Sequence, residues 1–160
     1  MTSKRLGRQT VRLGSPVSVL SYANIGGKQE AQGPLAGYFD ELNQDAYFGQ
    51  KSWEKGESAM QQFALRRAME KGGLIPEDLD YVLAGDLLNQ CIGTSFSLRD
   101  FKIPFYGLYG ACSTMGESLS LAALLIDGGF ASIVAAMTSS HFCTAERQYR
   151  MPVLYGNQRT

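Results

Sequence analysis

Cys112, His141, Arg147 and Arg150 are the residues whose types and placing could carry chemistry in this chain. Cys112 stands in Phe105-Tyr-Gly-Leu-Tyr-Gly-Ala-Cys112-Ser-Thr-Met-Gly-Glu117, which passes from a strand pattern to a helix pattern with almost no loop. A helix start presents N–H groups without intrahelical partners and the positive end of the helix dipole. Cys112, Ser113 and Thr114 at such a start make either a nucleophile for acyl transfer or a cradle for an anion. Gly110 is expected to permit the tight turn and a close backbone approach. His141 is the only histidine. It follows an apolar run and is placed to bond a ligand or to pair with the Cys112 thiolate. Arg147 and Arg150 come a few residues later, and a guanidinium grips a carboxylate with two parallel bonds. The ordinary alternatives are a packed cysteine, a core histidine and arginines that are solvated or paired with Glu146. Cys91 and Cys143 are read as packing.

These residues need a scaffold that brings strand ends together. Val17–Tyr22 reads as a first strand, followed by a long loop rich in Gly and Pro. The pattern from Trp53 to Lys71 predicts a helix, with Ala59, Phe63 and Arg67 on one stripe and Met60, Ala64, Ala68 and Met69 on the next. Gly72 and Gly73 end it. Tyr81–Ala84 is a short apolar run closed by Gly85-Asp86, as in a buried parallel strand. Thr94–Asp100 reads as a helix and Pro104–Leu108 as a strand. Ser113–Asp127 reads as an apolar helix of small and large residues that belongs in the interior, and Ser132–Met137 as a last strand. Strands alternating with helices predict an α/β fold, a mostly parallel sheet with helices on both faces. Ligand sites in such sheets lie at the carboxyl ends of the strands. Asp86 and Asn89, just after one such end, are expected to cap the next segment or to line the site.

The 160 residues carry 15 Lys plus Arg and 15 Asp plus Glu, so no net field draws the chain to nucleic acid or to an anionic membrane. No apolar run is long enough to span a bilayer, and no apolar core follows the basic start of a signal peptide. The odd cysteine count, without metal-ligand spacing, fits free thiols in a reducing compartment. No metal site is expected. After Arg147 the signals fade, and the chain ends without a closing element.

Gly33-Pro34-Leu35, Leu83-Ala-Gly-Asp-Leu-Leu-Asn-Gln90, Gly110-Ala-Cys-Ser-Thr114, Leu125-Ile-Asp-Gly-Gly-Phe130 and Thr138-Ser-Ser-His141 with Thr144-Ala-Glu-Arg-Gln148 resemble the stage V sporulation protein AD family. That family is thiolase-like and related to the ketoacyl synthases. The resemblance implies the N-terminal half of a thiolase-like layered fold, with the C-terminal half missing and a central buried helix after Cys112. It implies a dipicolinate-binding component of the assembly that loads dipicolinic acid into the spore. Cys112, Ser113, Thr114, His141, Arg147 and Arg150 would be the ligand-binding residues. The ligand would be dipicolinate, free or as its calcium salt, with no cofactor. The partners implied are the other stage V sporulation membrane proteins and the missing half, with a homodimer when full length. The place implied is the cytoplasm, peripheral to the forespore or spore inner membrane. The alternative is a condensing enzyme or acyltransferase with Cys112 as the catalytic, acyl-accepting nucleophile. It would use a CoA or acyl-carrier thioester. A half-domain should also expose apolar surface on its Ser113–Asp127 helix and associate when expressed alone.

Overall fold

The computed structural model describes residues 4–149. A short antiparallel hairpin comes first, β1 (Arg5–Leu6) with β2 (Thr10–Val11). Val17–Tyr22 forms no strand, contrary to the sequence reading. Its β-branched residues find no ladder partner among the described residues, and Val19, Leu20 and Tyr22 stay largely exposed. Side chains hold the segment instead: Ser21 Oγ donates to the Ala68 carbonyl at 2.8 Å, and the Tyr22 ring lies 4.4 Å from Lys71 Nζ. The long loop that follows is less irregular than its composition suggests. Within it β3 (Ile25–Gly26) pairs in parallel with β4 (Glu41–Leu42).

Helix α1 (Trp53–Gly72) starts where the Ser52 hydroxyl accepts the Lys55 N–H, and stops at Gly73, whose φ of 66° is left-handed. Then come β5 (Tyr81–Gly85), α2 (Ile92–Leu98), β6 (Phe105–Gly107), α3 (Thr114–Asp127), β7 (Val134–Thr138) and α4 (Phe142–Tyr149). The sequence signals gave no notice of α4. The order β6-β5-β7 builds a three-stranded sheet. Both pairings are parallel, with Val82 opposite Phe105 and Leu83 opposite Ala136.

Side chains alternate across a strand, so β5 serves two layers. Val82 and Ala84 join Leu65 and Met69 of α1, and Leu98 and Phe101 near α2, in one core. Leu83 and Gly85 face the other way, where Thr114 of α3 approaches Gly85. Helices therefore cover both faces. The result is an α/β architecture consistent with part of a thiolase-like layered fold. Helix α3 is buried along one face only. Thr114, Ser118 and Ala122 are inside, at the spacing that meets the sheet. Met115, Leu119, Leu121 and Leu124 remain exposed, and so does Glu117, which needs no buried partner. The end of α3 is tied to the hairpin: Lys4 Nζ lies 2.6 Å from Asp127 Oδ2.

Candidate functional site

The carboxyl ends of β5, β6 and β7 gather the residues that matter. At β5 the backbone is crowded: a Cβ on Gly85 would stand 1.9 Å from the Leu108 carbonyl oxygen, so only glycine allows the strands to end side by side. Asp86, next in the chain, is buried and works as a cap. It accepts the Leu88 N–H at 2.8 Å, the Thr94 N–H at 2.7 Å and the Thr94 hydroxyl at 2.6 Å. These bonds pin the segment between β5 and α2, where Gln90 (φ 61°) and Cys91 (φ 50°) take left-handed backbone conformations without being glycine. Such strain persists only where the surroundings impose it, and it concentrates at functional sites.

An open cleft of about 550 Å³ lies here, lined by Asn89, Gln90, Cys91, Ser95, Gly107 and Tyr109. Its volume is in the usual range for small-molecule sites. Hydroxyl groups close one side. Tyr109 donates to Asn89 Oδ1 at 3.0 Å and stands 2.8 Å from the Tyr149 hydroxyl of α4. Tyr149 also donates to the Leu87 carbonyl. The Tyr109 contact, then burial, pushes the Tyr149 phenol up to about 12. Gln148 of α4 accepts the Asn89 N–H at 3.4 Å. Cys91 Sγ donates to the Leu108 carbonyl at 3.2 Å. Burial, and then the Asp86 carboxylate, push its thiol up, so it is held as a neutral packing group.

The turn at Cys112 differs from its expected form. Residues Ala111–Ser113 make a 3-10 turn, and α3 itself begins at Thr114. Gly110 has an ordinary φ of −106°. The left-handed residue is Ala111, at φ 49°. Gly110 is needed for space, because a Cβ there would meet Ser113 Oγ and Glu117 Oε2 at 2.6 Å. The 3-10 turn also engages two N–H groups expected to face a ligand: Ser113 bonds Gly110, and Thr114 bonds Ala111. Cys112 is exposed. The Ser113 hydroxyl donates back to the Gly110 carbonyl at 2.7 Å. Thr114 is fully buried, and its hydroxyl has no hydrogen-bond partner among the described residues.

Among the described residues His141 makes no hydrogen bond to Cys112. Its Nε2 donates to the Ala46 carbonyl at 2.8 Å, which ties the strand end to the loop before α1. Its Nδ1 is buried without a partner among the described residues. Arg147 lies 3.3 Å from Glu54 of α1, an ion pair at the surface. Arg150 lies outside the described residues. The aromatic candidates separate as well. Tyr109 lines the cleft and Tyr149 meets its hydroxyl, Tyr106 packs on Tyr81 at 5.5 Å, and Phe142 is exposed.

Sequence reasoning missed a buried polar chain beneath α4. Glu57 of α1 is 1% exposed. It accepts the Ser139 hydroxyl at 2.5 Å and the Thr144 hydroxyl at 2.7 Å. Gln61, one turn on, donates to Ser139 Oγ at 2.5 Å and to Thr94 Oγ1 at 3.1 Å, and accepts the Ser97 hydroxyl at 2.7 Å. Burial pushes the Glu57 carboxyl up from its ordinary value, and the Asp86 carboxylate adds to this. The available signal was the spacing Glu57, Gln61, Leu65, Met69, a single stripe of α1 that is polar in its first half and apolar in its second.

Among the described residues no group of His, Cys, Asp and Glu is arranged to hold a metal ion. No described helix is long and apolar enough to cross a membrane.

Comparison with known proteins agrees with this architecture. The family model of stage V sporulation protein AD matches residues 7–160. The chain is 43% identical over 156 residues to Stage V sporulation protein AD of Bacillus subtilis (strain 168), a match covering 98% of this chain and 46% of that protein. The chain thus spans about half the length of the curated relative it matches. With a family match over nearly its whole length, the chain belongs to the stage V sporulation protein AD family.

Proposed function

We propose that this chain is part of a dipicolinate-binding component of the spore uptake assembly, with its ligand at the strand ends beside Cys112. What supports the reading is the way the only imidazole is used. His141 Nε2 is engaged by Ala46 and its ring sits near the buried Glu57, so it serves the scaffold and not the Cys112 thiol. An acyl-transfer site needs a base within reach of its nucleophile. A site for a flat diacid needs a cleft, ring and hydroxyl contacts and a nearby cation. The cleft at Asn89 and Tyr109 offers the first two, and Arg147, two residues before Tyr149 on α4 and paired with Glu54, would have to turn to it to supply the third. To grip a carboxylate, Arg147 would exchange its Glu54 contact for the ligand, a small cost for a surface pair. Ser113, Thr114 and Cys112 border the same turn. On this reading the partners are the membrane-embedded proteins of the same sporulation stage, and the chain is peripheral to the membrane.

The exposed thiol of Cys112 favours one competing reading, a condensing enzyme that accepts an acyl group from a thioester. Calorimetric titration separates the two. Binding of dipicolinate that is weakened by Arg147→Ala and Cys112→Ala supports the first. Intact-mass detection of an acyl thioester on Cys112 after mixing with acyl-CoA would overturn it.

A further inference from the structure

We propose that Glu57 is a proton-held clasp: taking up a proton at its buried carboxyl closes α4 onto α1, and losing that proton loosens α4 together with Arg147 and Tyr149. The inference needs no ligand, so it stands or fails apart from the binding proposal above.

The Thr144 hydroxyl has one proton, yet two acceptors lie within reach: Glu57 Oε2 at 2.7 Å and the His141 carbonyl at 2.8 Å. A charged Glu57 takes that proton and leaves the His141 carbonyl without it. A neutral Glu57 satisfies both contacts. Its own O–H at Oε2 donates to Thr144 Oγ1, and Thr144 donates onward to His141. On the other side, the Gln61 amide donates to Ser139 Oγ, and Ser139 donates to Glu57 Oε1. The Ser139 and Thr144 hydroxyls then each donate once and accept once. The step forms one O–H bond on Glu57 Oε2 with a proton from water, and the carboxylate becomes neutral.

The surrounding charges point the same way. From the end of β5, Asp86 faces Glu57 and opposes a second negative charge. The Ser139 and Thr144 hydroxyls favour the charged form, and His141, from the segment before α4, does so least, but burial outweighs them and holds the carboxyl above its ordinary value. From α2 come only the hydroxyls of Thr94 and Ser97, through Gln61. Arg147 of α4 is engaged by Glu54, one turn earlier on α1. A charged carboxyl without a cation is costly to bury. Docking α4 over Glu57 is therefore linked to proton uptake. Opening α4 would return the carboxyl to water and to its ordinary value of 4.5. Because the docked value lies above the open one, docking is strongest at acidic pH and weakens as pH rises through the docked value. The far end of α4 bonds Tyr149 to Tyr109 and Gln148 to Asn89, two residues that line the cleft, so the clasp bears on the cleft through them.

Hydrogen exchange of the amides of residues 142–149, corrected for the intrinsic effect of pH, tests this. In the wild-type protein, protection should fall as pH rises from acidic to neutral. Glu57→Gln mimics the neutral acid, so its protection should be high and flat with pH. Thr144→Val removes the proton's acceptor and should hold acidic protection down at the wild-type neutral level. A flat wild-type profile would overturn the proposal. So would a wild-type profile retained in Glu57→Gln, or one abolished only by His141→Asn, which would move the sensor to His141.

Discussion

The two halves of the inner stripe of α1 do different work. Glu57 and Gln61 lie over the strand ends, where their side chains bond to Ser139, Thr144, Thr94 and Ser97. Leu65 and Met69, on the same stripe, enter the apolar core with Leu79, Val82, Leu98 and Phe101. Both halves are nearly inaccessible to water. One helix face thus passes from core to site without changing direction. The apolar half fixes where α1 sits, and the polar half fixes which loops and helix it holds. Buried polar groups cost stability unless every partner is met, so their presence at the strand ends marks a place where position matters more than raw stability.

This contrast can be broken at either half. The largest effect should come from Leu65→Ala, which leaves a cavity and costs about 2–5 kcal/mol of unfolding free energy in denaturant titration. The site should keep its geometry as long as the protein stays folded. Glu57→Ala comes next, at about 1–3 kcal/mol, because Ser139 loses its acceptor and Thr144 its carboxyl partner. That loss should appear first as lowered protection of α4. Glu57→Gln should be gentler and of opposite sign at neutral pH. The folded value of Glu57 is raised, so the wild type loses stability as pH rises from the ordinary value through the folded one. A neutral amide removes that loss, and the variant should melt higher than wild type at neutral pH while matching it in acid. Equal pH dependence of the two melting curves would contradict the assignment. The smallest effect should be Arg147→Ala, within about 0.5 kcal/mol, since its contact with Glu54 is a surface pair. Its consequence should be confined to ligand affinity.

A separate comparison concerns the two faces of α3. The inner face, Thr114, Ser118 and Ala122, is closed by the sheet, while Leu119, Leu121 and Leu124 are open. An exposed patch of that kind favours association. Sedimentation of the isolated 160 residues should show self-association that Leu119→Lys reduces. A clean monomer with a cooperative melt would count against it.

The sequence carried the sheet and its covering helices because those elements follow simple periods. Tyr81–Gly85, Val134–Thr138 and the helix from Thr114 each announce themselves by apolar pattern and terminal glycines. The strand expected at Val17–Tyr22 failed because β-branched composition says nothing about a ladder partner. Helix α4 was missed because Phe142–Tyr149 is polar and short, and because tertiary bonds from Glu57 and Asn89 hold it. The site was legible only in part. Local spacing located the strand-to-helix turn at Cys112, but put the helix start at Ser113, where the structure has a 3-10 turn before Thr114. His141 was found, but its bond to Ala46 joins residues far apart in the chain. Glu57 and Gln61 were hidden because polar residues on a helix are ordinarily read as solvated. Of the stripes read from Ala59, Phe63 and Arg67 and from Met60, Ala64, Ala68 and Met69, only Met69 is among the buried positions of α1, which are Gly56, Glu57, Gln61, Leu65 and Met69.

The most direct measurement is a calorimetric titration of dipicolinate into the wild type and into one variant from each half of the α1 stripe, Gln61→Leu and Leu65→Val, at a temperature where all are folded. The account predicts binding by the wild type, near-unchanged affinity in Leu65→Val, and affinity lowered on the order of tenfold in Gln61→Leu, as about 1.4 kcal/mol of positioning is lost. Absence of binding to the wild type, or equal losses in both variants, would contradict it.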